Sequence, residues 1–190
     1  MAKEAGEQSA GGDFYGPFWS DAKDHVFGRS DLYQTTEARI SSNPSRGNLY
    51  PQLRDGFLTW WNERRRWTNE PFRPSENLKG RYTFPDLDAT IKVDNIMSVR
   101  DGQEEDHFIY PYFSPEPALT DEPARLGLWL LGKAIPNVDS RDFRLLDVIR
   151  GATFSSSPSR TPLKGDEELI FKRKYEAALR EWDRLREEYN

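Results

Sequence analysis

The chain has 190 residues, 36% apolar and 31% charged, with a formal net charge of −5 and no cysteine. That length supports one domain of ordinary size with a real core. The acidic balance argues against a protein that coats DNA indiscriminately, though not against a local basic patch, and the missing cysteines exclude disulfides, thiolate zinc sites and thiol nucleophiles.

No apolar run approaches the ~18 residues of a membrane span. Residues 1–6 lack the apolar stretch of a secretory leader, so a cytoplasmic protein without a membrane partner is expected. Residues 1–13 are small, polar and glycine-bearing and read as a disordered tail. Residues 14–50 read as an extended, irregular aromatic arm. Its first segment, Phe14-Tyr-Gly-Pro-Phe-Trp19, carries four aromatics in six positions around a Gly-Pro turn. Such a segment either folds over its own domain or anchors a protein partner through Phe14, Tyr15, Phe18 and Trp19.

Residues 51–190 read as a single α/β domain, with α+β as the variant: a small central mixed sheet flanked by helices in the order α-β-β-β-α-β-α. Pro51 suits the first turn of a helix. Leu53, Phe57, Trp60, Trp61 and Trp67 then share one face to about residue 68, before Pro71 and Pro74 end it. From Arg81 the pattern turns extended. Ala89, Ile91, Val93, Ile96 and Val99 predict one bent strand, turning at Asp101-Gly102. Phe108 to Phe113 is the returning strand, whose Pro111 points to an edge or a bulge. Thr120 offers a capping hydroxyl to a helix running to Ile135, apolar almost all round and therefore buried on more than one side. Phe143 to Val148 reads as a strand covered by helices. A last helix runs from near Asp166 to the C-terminus, with Phe171, Tyr175, Ala178, Trp182, Leu185 and Tyr189 at alternating steps of four and three.

At Ile91-Lys-Val-Asp-Asn-Ile96 with Asp101-Gly102, the chain resembles the RecB-type branch of the PD-(D/E)XK nucleases. The resemblance implies a helix, a three-stranded meander, a helix, a strand and a closing helix, with magnesium held by carboxylates. By position, Asp94 would match the strand aspartate and Glu63 the helix acid. The place of the acid-x-lysine motif falls at Tyr110-Pro111-Tyr112, which carries neither group, and tyrosine is a poor magnesium ligand at its ordinary pKa of ~10. The resemblance therefore implies a pseudo-nuclease whose metal site is lost. An active alternative would use Glu63, Asp94 and Asp86 or Asp88, with Lys92 replacing the missing lysine and magnesium as cofactor.

Arg54 to Arg81 holds seven basic and four acidic residues, and Trp60-Trp61-Asn-Glu-Arg-Arg-Arg66-Trp67 interleaves aromatics with arginines. This mixture can stack bases and clamp phosphates through Arg64, Arg65, Arg66, Arg73, Lys79 and Arg81. It equally describes an amphipathic helix with its arginines solvated. The two histidines, His25 and His107, have no metal-binding company, and no metal site or other cofactor is expected outside the nuclease alternative. The last helix packs on its own sheet or lends Trp182 and Tyr189 to a protein partner or a second copy. Three functions follow: a non-catalytic binding or scaffold subunit of a complex, a metal-dependent nuclease with a rearranged site, and a nucleic-acid-binding module.

Overall fold

Residues 16 to 42 are largely helical in the computed structural model, which describes residues 13–156 and 161–188. The chain divides into two compact units between Asp55 and Gly56, a few residues beyond the boundary expected at 50/51. The tail at 1–12 and Tyr189 lie outside the described residues.

In the first unit, the expected extended arm is instead helix α1 (Gly16–Val26) and helix α2 (Leu32–Ser42). Local chemistry explains both. Pro17 sits in the first turn of α1, and the Asp13 Oδ1 accepts from the Tyr15 and Gly16 N–H groups at 3.1 and 2.9 Å. Asp31 caps α2, accepting from the Gln34 N–H at 3.0 Å. Phe18, Trp19, Ala22 and Val26 form the buried face of α1. A two-pronged ion pair from Arg39 to Asp21, 2.9 Å on each prong, ties the helices together. Tyr50 is fully buried, donates to the Phe14 carbonyl at 2.8 Å and meets Phe14 and Phe18 edge-on. The aromatic segment thus lines its own unit. Periodicity missed these helices because each is short and mostly polar.

The unit boundary lies within helix α3 (Tyr50–Thr59), which continues as a π-helical turn, Trp60–Arg64. The helix stops short of the expected residue 68 because Arg65 is extended, at φ −62° and ψ 141°. Trp67 is consequently free of the helix and stacks on His107, with ring centroids 4.2 Å apart and planes within 6°.

The main sheet has the order β1 (Arg73–Pro74), β4 (Met97–Arg100), β5 (Asp106–Tyr112), β6 (Phe143–Asp147), β7 (Ala152–Phe154). Strands β5 and β6 are parallel and joined through helix α4 (Asp121–Ala134), whereas the other neighbours are antiparallel. This is the mixed α/β architecture expected. Pro111 lies past the last β4 partner of β5, where β5 is paired on one side only, so its missing donor disrupts no β4 ladder.

The expected single strand from Ala89 to Val99 is two strands in different sheets. β2 (Gly80–Phe84) and β3 (Ala89–Val93) form a separate two-stranded ribbon, and β4 begins at Met97. The cause is that Val93 and Ile96 both enter one core cluster. Residues three apart on a strand face opposite ways, so the chain must leave the strand between them. Asn95, at φ 60°, makes that turn; asparagine tolerates the left-handed region better than most residues.

α4 is buried on two sides, as its all-round apolar character predicts. Ala124, Leu128 and Leu131 join Phe108, Phe143 and Leu145 in the core cluster, while Trp129 meets Tyr82 of β2 edge-on and Phe171 at 6.0 Å. Each such leucine or phenylalanine contributes roughly 1.5–3 kcal/mol. The Thr120 hydroxyl, expected as a cap, makes no capping bond. Helix α5 (Glu167–Glu188) stacks Phe171 on Phe84 at 5.3 Å and pairs Lys172 with Asp86 and Lys174 with Glu122. Among the described residues, no helix is long and apolar enough to cross a membrane.

Candidate anion-binding groove

The β2–β3 ribbon turns one face inward and one outward, because its burial alternates along both strands. Tyr82 and Phe84 point to α4 and α5, whereas Arg81, Thr83, Thr90 and Lys92 are exposed. The register sets Arg81 directly opposite Lys92 and Thr83 opposite Thr90, whose hydroxyls lie 3.0 Å apart. Like charges directly opposite one another destabilise an antiparallel pair. At the end of the ribbon away from its turn, Lys79, Gly80, Arg81, Lys92, Val93 and Asp94 line an open groove of about 320 Å³. Among the described residues, the charged ends of Lys79, Arg81 and Lys92 make no ion pair or hydrogen bond. Three unpartnered cations therefore face one concavity. Gly80 is required where it stands, since a Cβ there would fall 2.7 Å from the Ile135 side chain and 2.8 Å from the Ala134 carbonyl carbon.

Asp94 is the one carboxylate among the groove-lining residues. Its Oδ1 accepts from the Asn95 side chain at 3.1 Å. Burial pushes the Tyr110 hydroxyl above its ordinary pKa, and the Asp94 charge adds to that shift. Glu63 is exposed on the π-helical turn, and neither it nor Asp94 belongs to a group of three potential metal ligands among the described residues. Asp86 is held below the usual carboxylate range by Lys172, at 2.8 Å, and Asp88 is exposed at φ 46°.

The remaining arginines are committed elsewhere or scattered. Arg64 donates to the Arg150 and Gly151 carbonyls at 2.8 and 3.2 Å, clamping the β6–β7 turn. The Arg65 guanidinium lies 3.9 Å over Trp61 and 4.4 Å over Phe72, and desolvation lowers its pKa. Arg73 pairs with Glu104, and Arg66 is exposed. Of the aromatic anchors, Phe18 and Trp19 are buried, Phe14 and Tyr15 are half-buried, and Trp182 is 65% exposed.

The sequence reading passed over three buried polar linkages. Asp101, fully buried, bonds His107 Nε2 at 3.2 Å and accepts from the Gln103 and Glu105 N–H groups. Asp101, Glu105 and His107 bring ligand atoms within 4.8 Å of one another. The Asp101 oxygens already serve this turn, and its bonds to His107 and to the Gln103 and Glu105 N–H groups hold the hairpin. The Asp-Gly turn signal and the nearby histidine were legible; their bond was not. Arg125, 5% exposed, pairs with Asp166 and with Glu167, fixing the start of α5. Asp147 accepts from the Leu119 N–H and from Arg150 at the end of β6. Comparison with known proteins returns no matching family model, curated protein or solved structure.

Proposed function

We propose that this chain is a non-catalytic nucleic-acid-binding module on a nuclease-like core, holding the phosphate backbone in the ribbon groove. The observation that carries this reading is the convergence of Lys79, Arg81 and Lys92, unpaired among the described residues, on one concavity. A fold tolerates opposed cations most readily where an anion offsets their repulsion, and phosphate is the anion that lysine and arginine jointly suit. On this reading the nucleic-acid contacts centre on the ribbon rather than on Arg64–Arg66. Among the residues lining the groove Asp94 has three cations and no second carboxylate, which disfavours the arrangement by which carboxylates hold magnesium.

The test is fluorescence anisotropy of labelled single-stranded oligonucleotides across a salt series. Three phosphate contacts on a single strand give a slope of about −2 in log K against log salt. Lys79→Ala, Arg81→Ala and Lys92→Ala should each weaken binding and flatten that slope. Binding that ignores salt, or cleavage with magnesium that Asp94→Ala abolishes, would defeat the reading.

The exposed Leu179 and Trp182 favour a second reading, a subunit that self-associates through the end of α5. Sedimentation equilibrium decides it: a dimer lost in Trp182→Ser supports it, and a monomer at all concentrations removes it.

A further inference from the structure

A groove built only for phosphate has no use for an acid, yet Asp94 lines the same concavity as the three cations. It is exposed, on the connection leaving β3, and the hydrogen bond it accepts from the Asn95 side chain engages Oδ1. Its charge opposes that of Lys79, Arg81 and Lys92 and so weakens the groove's hold on a bare phosphate. A carboxylate accepts hydrogen bonds and cannot donate them when ionised. The groove therefore suits a ligand that brings a hydrogen-bond donor close to its phosphate. In a nucleic acid the ribose 2′-hydroxyl is such a donor, and DNA lacks it. The volume, about 320 Å³, stands at the small end of ligand sites and suits one nucleotide of an open strand more than a duplex.

We propose that the groove takes single-stranded RNA, with Lys79, Arg81 and Lys92 on the phosphates and Asp94 accepting from a ribose 2′-hydroxyl. This inference rests on the nucleic-acid reading above and adds the sugar to it. Lys92 and Asp94 are two residues apart in the chain, a spacing of about 6–7 Å in extended backbone. That separation lets one residue reach a phosphate while the other reaches the adjoining sugar.

The experiment compares three labelled strands of one sequence with the full-length protein: oligouridine RNA, its 2′-deoxy counterpart and its 2′-O-methyl counterpart. The methylated strand keeps the oxygen and loses the donor. Wild type should bind the RNA about tenfold more tightly than either analogue, the size of one hydrogen bond to a charged acceptor. Asp94→Ala should erase that difference by weakening RNA binding while leaving or improving binding of the deoxy strand. Circular dichroism and thermal unfolding of the variant confirm that the comparison is made on folded protein. Equal binding of all three strands by wild type, or a preference that survives Asp94→Ala, overturns the sugar assignment while leaving the phosphate groove standing. No binding of any strand by wild type overturns both readings.

Discussion

Lys92→Thr should make the protein more stable and a poorer binder at the same time. Lys92 faces Arg81 across the ribbon, with neither side chain neutralised among the described residues. Removing one of two directly opposed like charges returns ~0.2–1 kcal/mol. Threonine brings the β-branched character that strands favour and continues the polar face already formed by Thr83 and Thr90. For a unit of this size, each kcal/mol moves the melting temperature by about 3–5 °C, so a rise of roughly 1–5 °C is expected at low salt. The electrostatic part of the gain must shrink as salt is added, since the Debye length falls from about 30 Å at 0.01 M to about 3 Å at 1 M. Differential scanning fluorimetry of wild type and variant at low and high salt reads both effects. Anisotropy on RNA should show a salt slope flatter by about 0.7, one phosphate contact fewer. A variant that melts lower than wild type at low salt, or whose gain does not depend on salt, would refute the cross-strand reasoning.

Arg125→Met should cost about 3 kcal/mol in chemical denaturation, the low end for breaking a buried pair, because Glu167 keeps backbone donors from Lys164 and Gly165. Adding Glu167→Gln should recover part of that loss, by removing the uncompensated charge. Acid should unfold the second unit progressively. Burial would raise the Glu167 and Asp101 carboxyls, but hydrogen bonds outweigh it: backbone N–H groups and Arg125 for Glu167, and His107 with the turn N–H groups for Asp101. Both folded values are therefore depressed, so their stabilisation is present above the unfolded values of about 4 and disappears as pH falls through the lower folded ones, visible in melts from about pH 7 to about pH 2. Gly56→Ala should destabilise despite alanine's helix preference of about 1 kcal/mol. The new Cβ would lie 2.5 Å from the Ile149 carbonyl carbon and still nearer two carbonyl oxygens, and that backbone cannot retreat cheaply. Higher stability of Gly56→Ala in urea would show that α3 and the β6–β7 turn are less closely packed than described.

The sequence by itself determined the elements whose signals are local. Pro51 in a first turn, the Asp101-Gly102 hairpin, the twice-buried α4 and the start of α5 all follow from spacing and turn chemistry that neighbouring residues carry. It also marked every groove residue that bears charge, Lys79, Arg81, Lys92 and Asp94, though divided between two hypotheses. Tertiary structure alone decided that these four belong together. A strand's alternation says which residues share a face, but not which strand lies opposite, and the register of Arg81 on Lys92 is a fact about pairing across the ribbon. The same limit hid the fate of the aromatic arm and of Arg64 and Arg65, whose composition fits a surface motif as well as a packed one. Their partners, Tyr50 for Phe14, the Gly151 carbonyl for Arg64 and Phe72 for Arg65, are brought to them by folding. Contacts between residues distant in the chain depend on loop closure and burial acting on the whole unit, and a one-dimensional pattern holds no term for either.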